Sequence, residues 1–128
     1  MKLRMKNNSV RLRLTQGEVA RFAETGQVEE AIEFGLEPHE HFIYALETDA
    51  QNKEIRATFE NDRITIFVPK MQADEWTNTA KIGMESEQNI GGDKTLRLLI
   101  EKDFACLEAR TGEDERDAFP HPLEGKAC

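Results

Sequence analysis

The chain repeats its own apolar pattern at an offset of 54 residues, and this repetition constrains the fold more than any other feature. The stretch "VRLRLTQGEVARFAETGQV", residues 10–28, aligns without a gap to "ITIFVPKMQADEWTNTAKI", residues 64–82. Further along, "HFIYALETD" aligns to "TLRLLIEKD". Few residues are identical, but the apolar positions coincide throughout. Because self-similarity at a fixed offset indicates repeated structural units, we predict an internal duplication.

The duplication divides the chain into three parts. We predict a first repeat at residues 1–50, a second repeat at residues 55–104, and an acidic C-terminal extension at residues 105–128 that has no counterpart in the first half. With 128 residues the chain is long enough for one modest hydrophobic core. We therefore expect residues 1–128 to form a single domain.

Each repeat has the pattern of strand, strand, helix, strand and strand. In "KLRMK" and "VRLRL" every second residue is apolar, which is typical of half-buried strands. Thr15 and Glu18 form a capping box at the start of the first helix, and Pro69 takes the Thr15 position in the second repeat. Hairpin-length links favour antiparallel neighbours. We predict an α+β fold with pseudo-twofold symmetry: a mostly antiparallel eight-stranded sheet or barrel with two helices, or two sheets around one core.

Charge and hydropathy exclude several classes of protein. The net charge of −8 disfavours nucleic-acid binding, which requires a basic surface. No apolar run approaches the roughly 20 residues of a membrane helix, and the basic start of the chain lacks the apolar core of a signal peptide. Two cysteines, one of them the last residue, do not suggest a disulfide framework. We expect a cytoplasmic protein that binds neither nucleic acid nor membranes.

The first two strands carry a cluster of cations, which we call the basic hairpin: Lys2, Arg4, Lys6, Arg11 and Arg13. Since alternate residues of a strand point the same way, all five should share one face of the sheet. Like charges opposite one another destabilise a hairpin unless something neutralises them. An external anion, the acids at residues 113–117 of the extension, or a second subunit could do so. Docking of the extension is our leading structural hypothesis, because that segment belongs to the same chain.

The extension also contains residues that bind divalent metals, namely Cys106, Asp114, Asp117 and His121. Their spacing matches no compact metal motif, and no oxyanion hole accompanies Cys106 and His121 as a nucleophile and base. The structural alternative places Cys106 at the end of the last strand and makes Phe119 an anchor that folds back on the domain. We therefore predict no cofactor and keep a divalent metal as the alternative.

The stretches "MKLRMKNNSVRLRLTQGEVARF", "ITIFVPKMQADEW" and "LLIEKDFACLEARTGEDERDAFPHP" resemble a family of small uncharacterised bacterial proteins along essentially the whole chain. This resemblance implies a bacterial cytosolic origin and places the extension within the domain. A duplicated barrel with alternating cations is also similar to triphosphate-tunnel proteins, which bind polyphosphates in the barrel interior. The opening strand "MKLRMK" departs from that family's Glu-x-Glu-x-Lys pattern because it has neither glutamate.

We predict a binding or interaction protein, since no catalytic constellation is identifiable. The alternative is an anion- or metal-dependent binding or hydrolytic activity that uses the basic hairpin and the extension. The expected partner is a protein or a small anion, and the expected state is a monomer or a homodimer. Cations inside a closed barrel would indicate anion binding, whereas an outward-facing cluster would indicate docking of a partner. The residues that this distinction concerns are Arg4, Arg11, Arg13, Arg56 and Arg97.

Overall fold

The computed structural model describes residues 1–104 and Phe119, and in this part the strands and helices follow one another in the predicted order. The first half of the chain contains β1 (Lys2–Lys6), β2 (Ser9–Leu14), α1 (Gln16–Thr25), β3 (Gln27–Glu33), a short 3-10 helix (Pro38–Glu40) and β4 (His41–Asp49). The second half contains β5 (Arg56–Glu60), β6 (Arg63–Pro69), α2 (Lys70–Asn78), β7 (Gly83–Gly91) and β8 (Lys94–Lys102). The α+β class is confirmed.

Local sequence signals set the ends of these elements. The Thr15 hydroxyl accepts a hydrogen bond from the backbone N–H of Glu18, whose carboxylate accepts one from the backbone N–H of Thr15, so the predicted capping box begins α1. Gly26 ends this helix in the left-handed conformation with φ 78°. The turns of the β1–β2 and β5–β6 hairpins, Asn7–Asn8 and Asn61–Asp62, have positive φ at all four positions. Asn and Asp tolerate that conformation, which two-residue hairpin turns require.

The strands form two four-stranded sheets, and the described residues do not form the single eight-stranded sheet or barrel that we predicted first. The first sheet has the order β1-β2-β8-β7, and the second sheet has the order β3-β4-β6-β5. In both sheets the outer pairs are antiparallel hairpins, whereas the central pairs, β2–β8 and β4–β6, are parallel. Short links dictate antiparallel pairing only between chain neighbours. The pairing of distant hairpins depends instead on how their apolar faces pack.

The central pairs of the two sheets have the same register at the offset of 54 residues. Both centres consist of large apolar residues, in the pairs Val10–Leu98 and Leu12–Ile100 of the first sheet and Ile64–Tyr44 and Ile66–Leu46 of the second. Adding 54 to a β2 number gives the β6 residue, and subtracting 54 from a β8 number gives the β4 residue. The aligned apolar positions of the sequence thus occupy equivalent places in the two sheets.

The core lies between the sheets, and the two helices cover one end of it. Phe22 of α1 and Trp76 of α2 meet edge to face, with ring centroids 6.2 Å apart and an angle of 66° between the rings. Both rings are fully buried. The indole N–H of Trp76 donates to the Ile82 carbonyl at 2.9 Å, so burial leaves no unsatisfied donor on the ring. The helix end of the molecule is therefore closed by aromatic packing.

A partly buried polar cluster connects the sheets along the β1 and β3 edges. The Met1 amino group contacts the carboxylates of Glu18 and Glu30, and the Tyr44 hydroxyl donates to the Met1 carbonyl at 2.6 Å. The same hydroxyl lies 3.2 Å from a Glu30 oxygen. Burial and the nearby negative charge of Glu30 raise the pKa of Tyr44 to about 12. Burial alone would raise the pKa of Glu18, but hydrogen bonds from the Met1 amino group and the Thr15 backbone outweigh it and lower that pKa.

A different contact connects the opposite edges, β5 and β7. The side-chain amide of Gln88 accepts a hydrogen bond from the Ala57 backbone N–H at 2.7 Å and donates one to the Ala57 carbonyl at 3.1 Å. A glutamine side chain thus pairs with the backbone of the edge strand β5 as a neighbouring strand would. Contacts therefore join the two sheets at both pairs of edges.

Phe119 packs against the end of β8, as the anchor interpretation of the extension predicted. Its backbone N–H donates to the Asp103 carbonyl at 2.6 Å, and its ring meets Phe104 edge to face at 5.6 Å between centroids. The ammonium of Lys102 lies 5.4 Å from the Phe119 ring and 5.8 Å from the Trp76 ring, and donates to the Thr79 carbonyl at 2.8 Å. Burial lowers the pKa of Lys102. Phe119 therefore covers one side of a buried cation.

We expect Tyr44, the single tyrosine of the chain, to ionise with a pKa of about 12 in the folded protein. The folded-state pKa exceeds the unfolded value of about 10, so this contribution to stability is complete below pH 10 and is lost as the pH rises towards 12. Tyrosinate absorbance during an alkaline titration measures the midpoint, and the fluorescence of Trp76 reports whether the chain is still folded. In urea the midpoint should return to about 10. A folded-state midpoint near 10 contradicts the buried placement of Tyr44.

Replacing Phe119 with Ala should destabilise the domain by about 1–2 kcal/mol, because the substitution removes a ring that contacts Phe104 and the Lys102 ammonium. Urea denaturation followed by the fluorescence of Trp76 measures the loss. Phe34→Ala is the matched control, because Phe34 is 77% exposed and should change stability by less than about 0.5 kcal/mol. Equal stabilities of the two variants would rule out an anchoring role for Phe119.

Candidate functional site

The basic hairpin faces outward from the first sheet. The register pairs Lys2 with Arg13 and Arg4 with Arg11, while the alternating residues of both strands point into the core. All five cations of the cluster therefore share one face, on the side of the sheet away from the core. Arg56 and Arg97, the other two arginines considered for a barrel interior, also lie on outer faces. Arg97 of β8 is on the same outer face as the hairpin, and Arg56 is on the outer face of the second sheet.

Carboxylates of β8 and of the residue after it neutralise part of this cluster. Glu101 contacts Arg11 and lies 3.7 Å from Arg13, and Asp103 lies 3.1 Å from Lys2. These partners were missed from the sequence, because nothing in the local pattern indicates that β8 lies beside β2. The sequence suggested three ways to neutralise the cluster: an external anion, the extension or a second subunit. The described part of the chain adds a fourth, namely the carboxylates of Glu101 and Asp103.

The tip of the hairpin and Arg97 of β8 form a basic groove with a volume of about 440 Å³. Its cations are Arg4, Lys6, Arg11 and Arg97. Arg97 pairs with Glu85 of β7 at 3.3 Å, but both side chains are more than half exposed, and such pairs contribute little. Neither Arg4 nor Lys6 forms an ion pair with a residue that the structure describes. The groove therefore contains two cations whose charge no described carboxylate offsets.

An apolar cleft of about 580 Å³ opens between the two sheets at the end away from the helices. Its lining is contributed by both sheets and consists mainly of apolar side chains: Met5, Val10, Phe42, Ala57, Phe59, Ile64, Ile90 and Leu96. At the rim Met5 is 59% exposed, Phe59 67% and Ile90 50%. Deeper in the cleft Val10 and Ile64 are buried. Large apolar side chains held partly in water around a concave apolar surface are typical of a binding site.

Three polar side chains of the cleft, those of Asn8, Ser9 and Gln88, are hydrogen-bonded within the protein. The Gln88 amide is used by the Ala57 backbone, and the Asn8 amide donates to the Thr95 carbonyl at 2.7 Å. The Ser9 hydroxyl donates to the Lys6 carbonyl within the turn. Lys6 is the one charged side chain among the described residues that line the cleft. The interior of the molecule is therefore apolar at its open end, unlike the cation-lined interior of a polyphosphate tunnel.

The apolar cleft and the basic groove meet at the β1–β2 turn. Lys6, Ser9 and Val10 line both of them. Met5 points towards the cleft, and its neighbours Arg4 and Lys6 point towards the groove, because successive side chains of a strand alternate between faces. An apolar surface and a cationic surface are thus adjacent at one edge of the molecule.

The metal ligands predicted in the extension, Cys106, Asp114, Asp117 and His121, lie outside the described residues, as do the acids at residues 113–117. Docking of those acids on the basic hairpin stays a prediction. Within residues 1–104 and Phe119, no group of three or more His, Cys, Asp or Glu side chains could hold a metal ion. In the same part of the chain, no helix combines the length and the apolar character that crossing a membrane requires.

Comparisons with known proteins identify a family and give no function. No curated protein and no solved structure matches the chain. One family model matches residues 1–123, which include both halves of the fold and most of the extension. The chain therefore belongs to the family of unknown function DUF7009.

Proposed function

We propose that the protein is a binding protein and that its ligand occupies the apolar cleft between the two sheets. The observation that carries this proposal is the cleft itself, with about 580 Å³ of volume and a mainly apolar lining. This volume lies within the range of small-molecule sites. Covering Met5, Phe59 and Ile90 would remove apolar surface from water, which contributes about 25 cal/mol per Å². Any apolar ligand that fits the cleft would obtain this favourable free energy.

The chemistry of the lining favours binding over catalysis. Among the described residues of the cleft there is no His, Cys, Asp or Glu, so a nucleophile there has no adjacent general base. The Ser9 hydroxyl is engaged in the hairpin turn. A ligand in this cleft is held by contact with apolar side chains and meets few groups that could transfer a proton.

We also propose that the two halves arose by duplication and that the cleft is a product of it. The equal register of the two sheets at an offset of 54 residues supports this. The pairs of residues at this offset that line the cleft are Met5 and Phe59, Val10 and Ile64, and Phe42 and Leu96. Both halves contribute equivalent hairpins to the same opening. A duplication of a hairpin with a projecting apolar residue near its tip therefore accounts for a cleft with apolar sides.

A neutral solvatochromic dye such as Nile red should bind the folded protein with blue-shifted emission. Phe59→Ser removes an aromatic ring from the rim and should weaken the binding roughly tenfold, which corresponds to about 1.4 kcal/mol. Fluorescence titration measures the affinity. Met71→Ser is the control, because Met71 is 85% exposed on α2, at the other end of the molecule. A dye that stays in water with the wild-type protein, or an equal loss of affinity in both variants, argues against the cleft as the ligand site.

A further inference from the structure

We propose that the ligand of the cleft is an anionic amphiphile, whose apolar body lies in the apolar cleft and whose head group lies in the basic groove. The class is a single-chain molecule that ends in a carboxylate, sulfate or phosphate. This inference rests on the proposed function and specifies its ligand. It requires that the two sites be connected, that the groove has positive charge to offer, and that the head group gains from being there.

The connection runs over the β1–β2 turn. β1 is an edge strand of the first sheet, so a ligand that passes over it from the core side to the outer side breaks no strand pairing. Met5 in the cleft and Lys6 in the groove are consecutive residues, about 3.3 Å apart along the strand. Lys6, Ser9 and Val10 line both sites. One extended ligand can therefore contact both.

The charge of the groove remains positive after its described ion pairs are counted. Glu101 contacts Arg11 from β8, and Glu85 contacts Arg97 from β7. Glu87 of β7 lies opposite Arg97 in the register, on the side of β8 away from the hairpin. Arg4 and Lys6, on the edge nearest the cleft, form no ion pair with a described residue. The positive charge is thus concentrated where a head group would leave the cleft.

An anionic head group also relieves a repulsion that the fold creates. Arg4 and Arg11 lie directly opposite one another in the antiparallel pair, and like charges in this position are destabilising. A carboxylate or phosphate between them can accept hydrogen bonds from both guanidinium groups, whose planar fork fits such oxygens. A neutral ligand gains nothing from this arrangement, and a cationic ligand is repelled by it. The head group therefore determines which apolar ligands the protein prefers.

The test uses three probes that share a dodecyl tail and differ in the head group: dodecanoate, dodecanol and dodecyltrimethylammonium. The two charged probes are used below their micelle concentrations, and dodecanol below its solubility limit. Displacement of Nile red from the full chain measures each affinity. Dodecanoate should bind at least roughly tenfold more tightly than dodecanol, because its carboxylate accepts charge-assisted hydrogen bonds from the cations of the groove. Added salt should weaken the binding of dodecanoate and leave that of dodecanol unchanged. The ammonium compound should bind most weakly.

Arg4→Gln is expected to reduce dodecanoate binding towards the level of dodecanol and to leave dodecanol binding unchanged, because Arg4 lines the groove and not the cleft. Lys6→Gln is expected to weaken dodecanoate binding more than dodecanol binding, because Lys6 lines both sites. Both side chains are exposed, so neither substitution should disturb the fold. Arg21→Gln is the matched control, because it removes one exposed cation from α1 and changes the net charge equally. Its dodecanoate affinity should equal that of the wild-type protein.

Several results would overturn this inference, and they differ from a failure of the proposed function. Equal affinities for dodecanoate and dodecanol, or an equal effect of all three substitutions, exclude the head-group site and leave the cleft as a site for neutral ligands. Inorganic phosphate that binds as tightly as dodecanoate makes the groove an anion site independent of the cleft. Binding to phosphatidylglycerol vesicles without binding of dodecanoate points to a membrane surface in place of a free ligand. If neither Nile red nor any of the dodecyl compounds binds, the proposal that the cleft is a ligand site fails as well.

Discussion

The parallel contact between strands from opposite halves of the chain is the constraint on which the rest of the structure depends. Neither half builds a sheet alone, because its two hairpins belong to different sheets. The β2–β8 pairing joins Val10 to Leu98, and the β4–β6 pairing joins Tyr44 to Ile64. A single hairpin is marginally stable in water and gains stability when it joins a larger sheet with a buried face. The core between the sheets therefore forms from both halves together.

The same pairing determines the electrostatics of the outer surface. By itself the first hairpin presents five cations on one face, with Arg4 opposite Arg11 and Lys2 opposite Arg13. The parallel neighbour β8 places Glu101 beside Arg11 and Arg13, while Asp103, just beyond the strand, approaches Lys2. The half of the cluster nearest the helices is thus neutralised internally, and the half near the turn is not neutralised by described residues. The asymmetry gives the basic groove its position at the open end.

Sequence periodicity predicted the elements well, because the signals that define them are local. Alternation at residues 10–14 indicated a strand, the capping box of Thr15 and Glu18 located the start of α1, and Pro69 located the start of α2.

A period of two tells which residues share a face, and so it placed the basic hairpin on one side. It does not tell which strand lies alongside, so one barrel and two sheets fitted the pattern equally. The carboxylate of Glu101 and the apolar cleft could not be predicted for that reason. Met5 and Phe59 have the alternation of core residues, and only the ends of the sheets reveal that nothing in the described part covers them.

The two ends of the molecule differ in how their apolar residues are kept from water. At one end α1 and α2 cover the core, with Phe22 and Trp76 in contact, and Phe119 packs beside them over Lys102. At the other end the β1–β2 and β5–β6 hairpins have two-residue turns, which are too short to cover a core. A chain with 33% charged residues has many side chains suited to a solvated rim, yet Met5 and Phe59 project there. Exposed apolar surface of this kind is unfavourable unless it is covered. An apolar ligand between the sheets would cover this surface. The adjacent cations would favour ligands that carry an anionic head group.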